Sequence, residues 1–374
     1  MDIADLATPA VLIDNRRLIA NIDKMQRAAT AAGIRLRPHA KTHKSVAIAQ
    51  AQIKAGAVGI TVATVGEAEV FADHGIQNIR IAYPLPVSVA ERVIALMSKA
   101  RISIVVDNAT IAQHWSELMV NAKHRLDVLV KVDVGFHRCG INLRLHEAVS
   151  FISEIAQLQG LRLCGLLSHA GQAYDASTVQ DMRGIARQEA KTLRELAIEA
   201  TTAGTSVQEI SVGSTPTARF SLKENQITEV RPGNYVFLDL TQVALQSATI
   251  NSCALTVLST IVSRPSTDRL VIDAGSKTLS SDHARGPKAN AGFGAVLQTN
   301  SETAINRNLL IERLSEEHAV VSVSGGDNSL KVGQRVRLIP NHACVVTNLA
   351  DYVHFVDQES LLETVRVDAR GKNY

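Results

Sequence analysis

The chain has 374 residues, 46 % hydrophobic and 20 % charged, with a formal net charge of +3. That length leaves room for two domains with a substantial core, and the small, dispersed charge argues against a polyanionic partner. Aromatic residues make up only 3 % with a single Trp, so no stacking platform for single-stranded nucleic acid is read. Asp2 and Asp5 stand where a signal peptide needs basic residues, and no apolar stretch reaches membrane-spanning length. Cys139, Cys164, Cys253 and Cys344 are scattered with no CxxC, as in a reducing compartment. A cytoplasmic protein with no membrane or nucleic-acid partner is expected.

Ala10 to Ile13 reads as an early strand. Ile34 and Leu36 then alternate with Arg35 and Arg37, a period-two strand pattern that Pro38 weakens. Similar apolar segments follow at 59–63, 79–83, 102–107, 127–132, 163–168, 209–213 and 229–235. Most are rich in Val, Ile and Leu, as in strands buried on both faces. Between them, Thr64 with Glu67 and Ser88 with Glu91 fit capping boxes. Gly56 and Gly75 stand where helices end, and residues 177–203, closed by Gly204, form the longest predicted helix. Eight strand–helix alternations predict a (β/α)8 TIM barrel; an open doubly wound sheet lacks its GxGxxG turn.

Past residue 240 the pattern turns to β-type runs at 255–262, 269–273, 319–323, 335–339 and 352–356. Pro265-Ser266, Gly325-Gly326-Asp327 and Gly333 separate them. The expected organisation is a barrel over residues 15–240, followed by a β-rich C-terminal domain of residues 241–374. Residues 1–14, the N-terminal strand included, join that β-domain.

Barrel chemistry belongs at the C-terminal strand ends. Lys41 stands at such an end, where burial would deprotonate it for Schiff-base formation; a solvated basic loop is the alternative. Gly213-Ser214-Thr215-Pro216 at a helix start suits a phosphate, and Gly233 after strand eight offers another backbone donor. Each is also an ordinary turn when taken alone. Together, an amine at one end and a phosphate cup at the other suggest pyridoxal 5′-phosphate. His342 and Cys344, at i and i+2 in a segment read as extended, share one side and suit zinc. Two ligands leave positions open for water or substrate; a structural Cys beside a surface His is the alternative.

RPHAKTHK (37–44), SHAG (168–171), SVGSTPT (211–217), EVRPGNYVF (229–237) and PNHAC (340–344) occur in order. In these motifs the chain resembles fold-type III pyridoxal-phosphate enzymes of the D-serine dehydratase and D-threonine aldolase family, across nearly its whole length. The resemblance implies that Lys41 holds the cofactor and, once freed by substrate, removes the α-proton. It implies that His169 packs against the pyridine ring, and that Ser214, Thr215, Gly233 and Asn234 bind the phosphate. Arg138 and Tyr174 are placed near the cofactor. Arg231 matches an arginine that faces the pyridine nitrogen in racemases, a role not expected to carry over.

His342 and Cys344 match the metal site, for zinc with manganese or another divalent cation as alternatives. Cys344 sides with dehydratases, since aldolases more often have Asp there. The implied reaction turns a D-3-hydroxy amino acid (D-serine, D-threonine or D-threo-3-hydroxyaspartate) into a 2-oxo acid and ammonia, with the metal holding the β-hydroxyl. The nearest alternative is an aldolase releasing glycine and an aldehyde. A racemase and a non-catalytic pyridoxal-phosphate-binding protein are less consistent with the metal pair and the β-domain. A homodimer is expected. His39 and His43 are read as tuning or orienting the lysine, with a structural role as the alternative, and Lys44, Asp273 and Asp282 as lining the pocket entrance. Glu316-Glu317-His318 is read as a solvated strand start, and Cys139, Cys164 and Cys253 as core.

Overall fold

The structure is a computed structural model that describes residues 2–289, 291–298, 301, 303–325 and 329–374. Strand β1 (Ala10–Asp14) runs into helix α1 (Asn15–Ala31), whose first turn is capped by the Asp14 carboxylate. The barrel follows with β2 (Arg35–Leu36), β3 (Ile60–Val62), β4 (Asn78–Pro84) and β5 (Arg101–Val106). It continues with β6 (Leu126–Lys131), β7 (Leu161–Leu167), β8 (Glu209–Val212) and β9 (Glu229–Val230). Helices α2 (Val46–Lys54), α3 (Val65–Asp73), α4 (Ala90–Met97) and α5 (Ala109–Asn121) lie between the early strands. Later crossovers use α6 (Leu145–Gln157), α7 (Val179–Thr202) and α8 (Thr215–Ser221).

These strands form an 8-stranded parallel sheet in the order β2-β9-β8-β7-β6-β5-β4-β3. Its two edges meet where Thr61 N donates to Pro38 O at 2.7 Å and His39 bridges Thr61. The TIM barrel expected from the alternation is therefore present.

After α9 (Leu240–Ala244) the chain builds a 9-stranded mixed sheet. It holds β10 (Leu255–Ser266), β11 (Arg269–Ile272), β12 (Ala295–Val296), β13 (Leu309–Leu314) and β14 (Ala319–Val323). It ends with β15 (Arg335–Ile339), β16 (Tyr352–Asp357) and β17 (Ser360–Arg366), with helices α10 (Ser276–Leu279) and α11 (Ala343–Leu349) inserted. β1 lies between β10, antiparallel, and β16, parallel, so the N-terminal strand joins the β-domain.

Several local expectations are corrected. The last barrel strand stops at Val230 rather than 235, because Pro232 cannot donate and Asn234–Val236 winds into a 3-10 turn. Ser88 caps nothing: Val87–Val89 is a 3-10 turn and α4 starts behind Val89. Thr64 does cap α3, accepting from Glu67 N at 3.1 Å. Strands β13 and β17 were unforeseen; β17 is an edge strand with no fully buried residue, so its sequence carries no core signal. Of the Gly325-Gly326-Asp327 turn, Gly326 and Asp327 lie outside the described residues.

The barrel interior holds a buried ionic cluster. Glu229, fully buried, accepts from Arg37 Nε at 2.8 Å, Arg80 Nη1 at 2.5 Å and Ser211 Oγ at 2.6 Å. Burial works against its charge, yet the guanidiniums of Arg80 and Arg37 hold its carboxyl far below the usual range. Removing this acid leaves the buried Arg37 without a carboxylate and Arg80 with Glu209 alone. Glu229→Ala is therefore expected to cost about 3–5 kcal/mol of stability, read as a lower urea midpoint; an unchanged midpoint contradicts the role given to the cluster.

Candidate active site

A cavity of about 590 Å³ opens at the C-terminal ends of the barrel strands, where the β-domain meets the barrel. Lys41, Arg138, His169 and Tyr174 line it, as do Ser214, Thr215, Gly233, Asn234, His342 and Cys344, so every residue assigned to cofactor or metal in the sequence converges there.

Pro38 ends the first strand, and Ala40–Thr42 turns as a 3-10 helix with His39 as its cap. Lys41 is exposed to the cavity, not buried as the sequence reading supposed. Its turn is anchored on both sides. Lys44 takes a positive φ of 50° and is buried against Glu67 Oε1 at 3.2 Å and Asn373 Oδ1 at 2.7 Å. A Cβ at Gly233 would come within 2.8 Å of Thr42 Oγ1, so only glycine lets the turn after β9 pass this close. His43 is buried on Gln52, 3.2 Å away, and serves the core. Lys44 and Asp273 do not line the entrance: Asp273 accepts from Thr8 and Ser259 instead. Asp282 does line it.

The phosphate-like end is built by α8 and the turn after β9. Pro216 lies in the first turn of α8, whose N-terminal N–H groups have no intrahelical partner. Among the described residues, the buried Thr215 Oγ1 and Asn234 Oδ1 have no hydrogen-bond partner. A buried hydroxyl left without a partner is costly unless a ligand satisfies it. The Thr215 hydroxyl and the free N–H groups of α8, with the close glycine approach, form a donor set that fits a phosphate.

The middle of the cavity is basic. His169 Nδ1 lies 2.6 Å from Gly213 O, which fixes the proton on Nδ1 and leaves Nε2 as an acceptor. Burial, then the cations Lys41 and Lys131, push its pKa well down; His39 is lowered likewise by burial, Lys41 and Arg231. Both imidazoles are therefore neutral. Phe136 stands edge-on to His169 at 6.0 Å, and Arg138 lies 5.0 Å over the Phe136 ring. Arg231 is buried, donating to Ser168 O and to Ser211 Oγ.

Lys131, at the end of β6, was missed by the sequence reading; its position beside Asp133 at a strand end was the available signal. It is buried, and desolvation with Arg231 nearby lowers its pKa to about 8. Between pH 8 and 10.5 the unfolded chain holds a proton on this lysine that the folded chain has lost, so stability rises with pH there. Lys131→Met is expected to flatten that rise in urea midpoints taken from pH 8 to 10; parallel curves contradict it.

His342 and Cys344 reach each other for a reason other than the one expected. The segment is not extended throughout: His342 is the extended N-cap and Cys344 lies in the first turn of α11. Asp282 Oδ2 holds His342 Nδ1 at 2.6 Å, leaving Nε2 for the cavity. Burial opposes charge on this imidazole, but Cys344, Asp239 and Asp282 raise its pKa to about 10. Among the described residues no group of three His, Cys, Asp or Glu is set to hold a metal. The pair fits an open site completed by other ligands, with Asp282 as the carboxylate that orients the histidine.

Asp239, fully buried, joins the two ends. Its carboxylate accepts from Asn234 Nδ2 at 2.5 Å and Ala343 N at 2.9 Å. Cys344 Sγ sits 3.2 Å from Thr42 Oγ1, and Thr347 Oγ1 donates to Thr42 O at 2.6 Å, tying α11 to the Lys41 turn. Glu316 and Glu317 pair with Lys277 in an exposed turn. Cys253 is buried, while Cys139 and Cys164 are half-buried. No helix among the described residues is long and apolar enough to cross a membrane.

Residues 13–241 match the family described as "Alanine racemase, N-terminal domain", and residues 254–356 the "Putative serine dehydratase domain". The chain is 32 % identical to the D-threo-3-hydroxyaspartate dehydratase of Delftia sp., over 91 % of each chain. It is also 32 % identical to the D-threonine aldolase of Arthrobacter sp., over 99 % of this chain and 94 % of that one. Among solved structures, a Cys-to-Ala variant of D-threo-3-hydroxyaspartate dehydratase in the metal-free form superposes with a TM-score of 0.90. It is 29 % identical, with 98 % of this chain and 99 % of that one covered.

Proposed function

Because the chain belongs to the alanine-racemase-like family of D-serine dehydratases and D-threonine aldolases, we propose that it is a pyridoxal-phosphate- and metal-dependent lyase. In this reading it dehydrates a D-3-hydroxy amino acid to a 2-oxo acid and ammonia. The observation that carries this is convergence: the Lys41 amine, the unpartnered Thr215 hydroxyl and the His342–Cys344 pair open on one cavity.

Lys41 would hold the cofactor at its aldehyde end, with Ser214, Thr215, Gly233 and Asn234 at its phosphate and His169 against its ring. His342 and Cys344 would hold zinc, or another divalent cation. When bound, the cofactor supplies an electron sink at the α-carbon and the metal a Lewis acid at the β-oxygen.

The chain's own residues do the rest. Lys41, exposed to the cavity, is the base for the α-proton. His169, kept neutral by burial and the nearby Lys41 and Lys131, with its tautomer fixed by Gly213 O, adds no positive charge beside the ring. Burial raises the Tyr174 phenol, with Cys344 adding to the shift, so it stays protonated and acts as a hydrogen-bond donor. Arg138, with no carboxylate partner among the described residues, suits the substrate α-carboxylate. The cysteine at 344, where aldolases more often carry Asp, favours dehydration over carbon–carbon cleavage. A homodimer in the cytoplasm is the expected setting.

The test is product analysis with D-serine, D-threonine and D-threo-3-hydroxyaspartate, with and without a chelator. A 2-oxo acid plus ammonia, lost on chelation and restored by zinc, supports the reading. Glycine plus an aldehyde makes the chain an aldolase.

A further inference from the structure

Two guanidiniums face the cavity without being buried in the barrel, and they stand at different places on its wall. Arg138 follows β6. Arg285 follows α10, on the loop that carries Asp282, the carboxylate holding His342. That loop is fixed: Asn341 Nδ2 donates to Asp282 O at 3.0 Å, and Arg285 N donates to Thr241 Oγ1 at 3.2 Å. The Arg285 guanidinium therefore sits at a defined place on the metal-pair side of the cavity. Its carbon lies 5.4 Å from the centre of the Tyr174 ring, and the Tyr174 phenol is within electrostatic reach of both Arg285 and Cys344.

The Arg285 fork is occupied by a replaceable partner. Nη2 and Nε meet Asp175 Oδ1 at 2.5 and 3.2 Å. The side chains are 45 % and 66 % exposed, and an exposed pair of this kind adds little stability. A ligand carboxylate can take the place of Asp175 at small cost and gain the planar, two-point geometry that arginine offers.

Lys41, Arg285 and the His342–Cys344 pair line one cavity, so a D-3-hydroxy amino acid with its amine at Lys41 and its β-oxygen at the pair would have its other β-substituent in the space that Arg285 borders. D-Serine has one carboxylate and needs one arginine; a 3-hydroxy dicarboxylate has two. We infer that Arg285 binds a carboxylate carried on the substrate β-carbon, so that the chain selects a D-3-hydroxy dicarboxylate over D-serine and D-threonine. This rests on the dehydratase reading above.

The test compares the holoenzyme with R285Q and R285K on D-threo-3-hydroxyaspartate and D-serine. The ratio of kcat/KM for the dicarboxylate to that for D-serine is expected to fall about 100-fold in R285Q and about 10-fold in R285K, which keeps the charge but not the fork. A second readout needs no turnover: D-aspartate and D-alanine binding, followed by the cofactor absorption band. R285Q should weaken D-aspartate far more than D-alanine. An unmoved ratio, equal weakening of both ligands, or a wild type that prefers D-serine overturns the inference and leaves the dehydratase reading standing. If the wild type forms a 2-oxo acid from neither substrate, it is the dehydratase reading that fails.

Discussion

Lys41→Ala is expected to lower product formation by about 10⁴-fold, because in the proposed reaction one side chain serves as both covalent anchor and proton base. The loss should be specific rather than structural. Lys41 is exposed to the cavity and the turn around it is held by other groups: Lys44 on Glu67 and Asn373, and Thr42 on Thr347. The far-ultraviolet circular dichroism should be unchanged. The decisive measurement is borohydride reduction of the holoenzyme followed by peptide mapping. Wild type should carry the cofactor on the peptide containing Lys41, and Lys41→Ala should carry none. Lys131 is the informative rival, since it also lines the cavity and its lowered pKa makes it a competent nucleophile near neutrality. Label on the Lys131 peptide of the wild type would sink the assignment.

Cys344→Ala and His342→Ala are each expected to take bound metal from about one ion per chain to near none and to lower turnover about 10³-fold. That factor corresponds to roughly 4 kcal/mol of lost leaving-group stabilisation. Stability should change little in Cys344→Ala. Helix α11 stays docked through Thr347 on Thr42 and through Asp239 on Ala343 N. The cysteine itself reaches Thr42 Oγ1 and the His342 ring. Metal content by elemental analysis and turnover with added zinc are the two readouts. Full metal content in both variants would show that the pair is structural, the bland alternative for a His-x-Cys motif. Asp282→Asn offers an intermediate case: it keeps both ligands but loses the carboxylate that orients His342, and weakened metal affinity is expected.

The barrel was legible because it is local and repetitive. Parallel strands buried on both faces give uninterrupted Val/Ile/Leu runs, and the intervening helices announce themselves by caps such as Thr64 and by terminal glycines such as Gly56 and Gly204. Where strands are short or solvated the signal fails. β2 shrinks to Arg35–Leu36 because Pro38 follows, and the edge strand β17 buries nothing that would mark its period. Ser88 and Glu91 had the spacing of a capping box, but the chain turns there as a 3-10 helix, so spacing alone misplaced the start of α4.

By itself, then, the sequence determined which side chains meet at the cavity, because barrel topology sends every strand end to one mouth whatever the loops do. Lys41, His169, Ser214, Thr215 and Gly233 follow from that rule. Only the tertiary structure decided how these groups are tuned and tied together. The Nδ1 proton of His169 is fixed by a carbonyl 44 residues away, and His342 is aimed by Asp282, 60 residues away. Asp239 links the strand-eight turn to α11, and the Lys131 pKa depends on Arg231. Such contacts join residues distant in the chain through low-dielectric space, where desolvation and charge are set by whatever packs alongside. No spacing rule along one strand or helix encodes them.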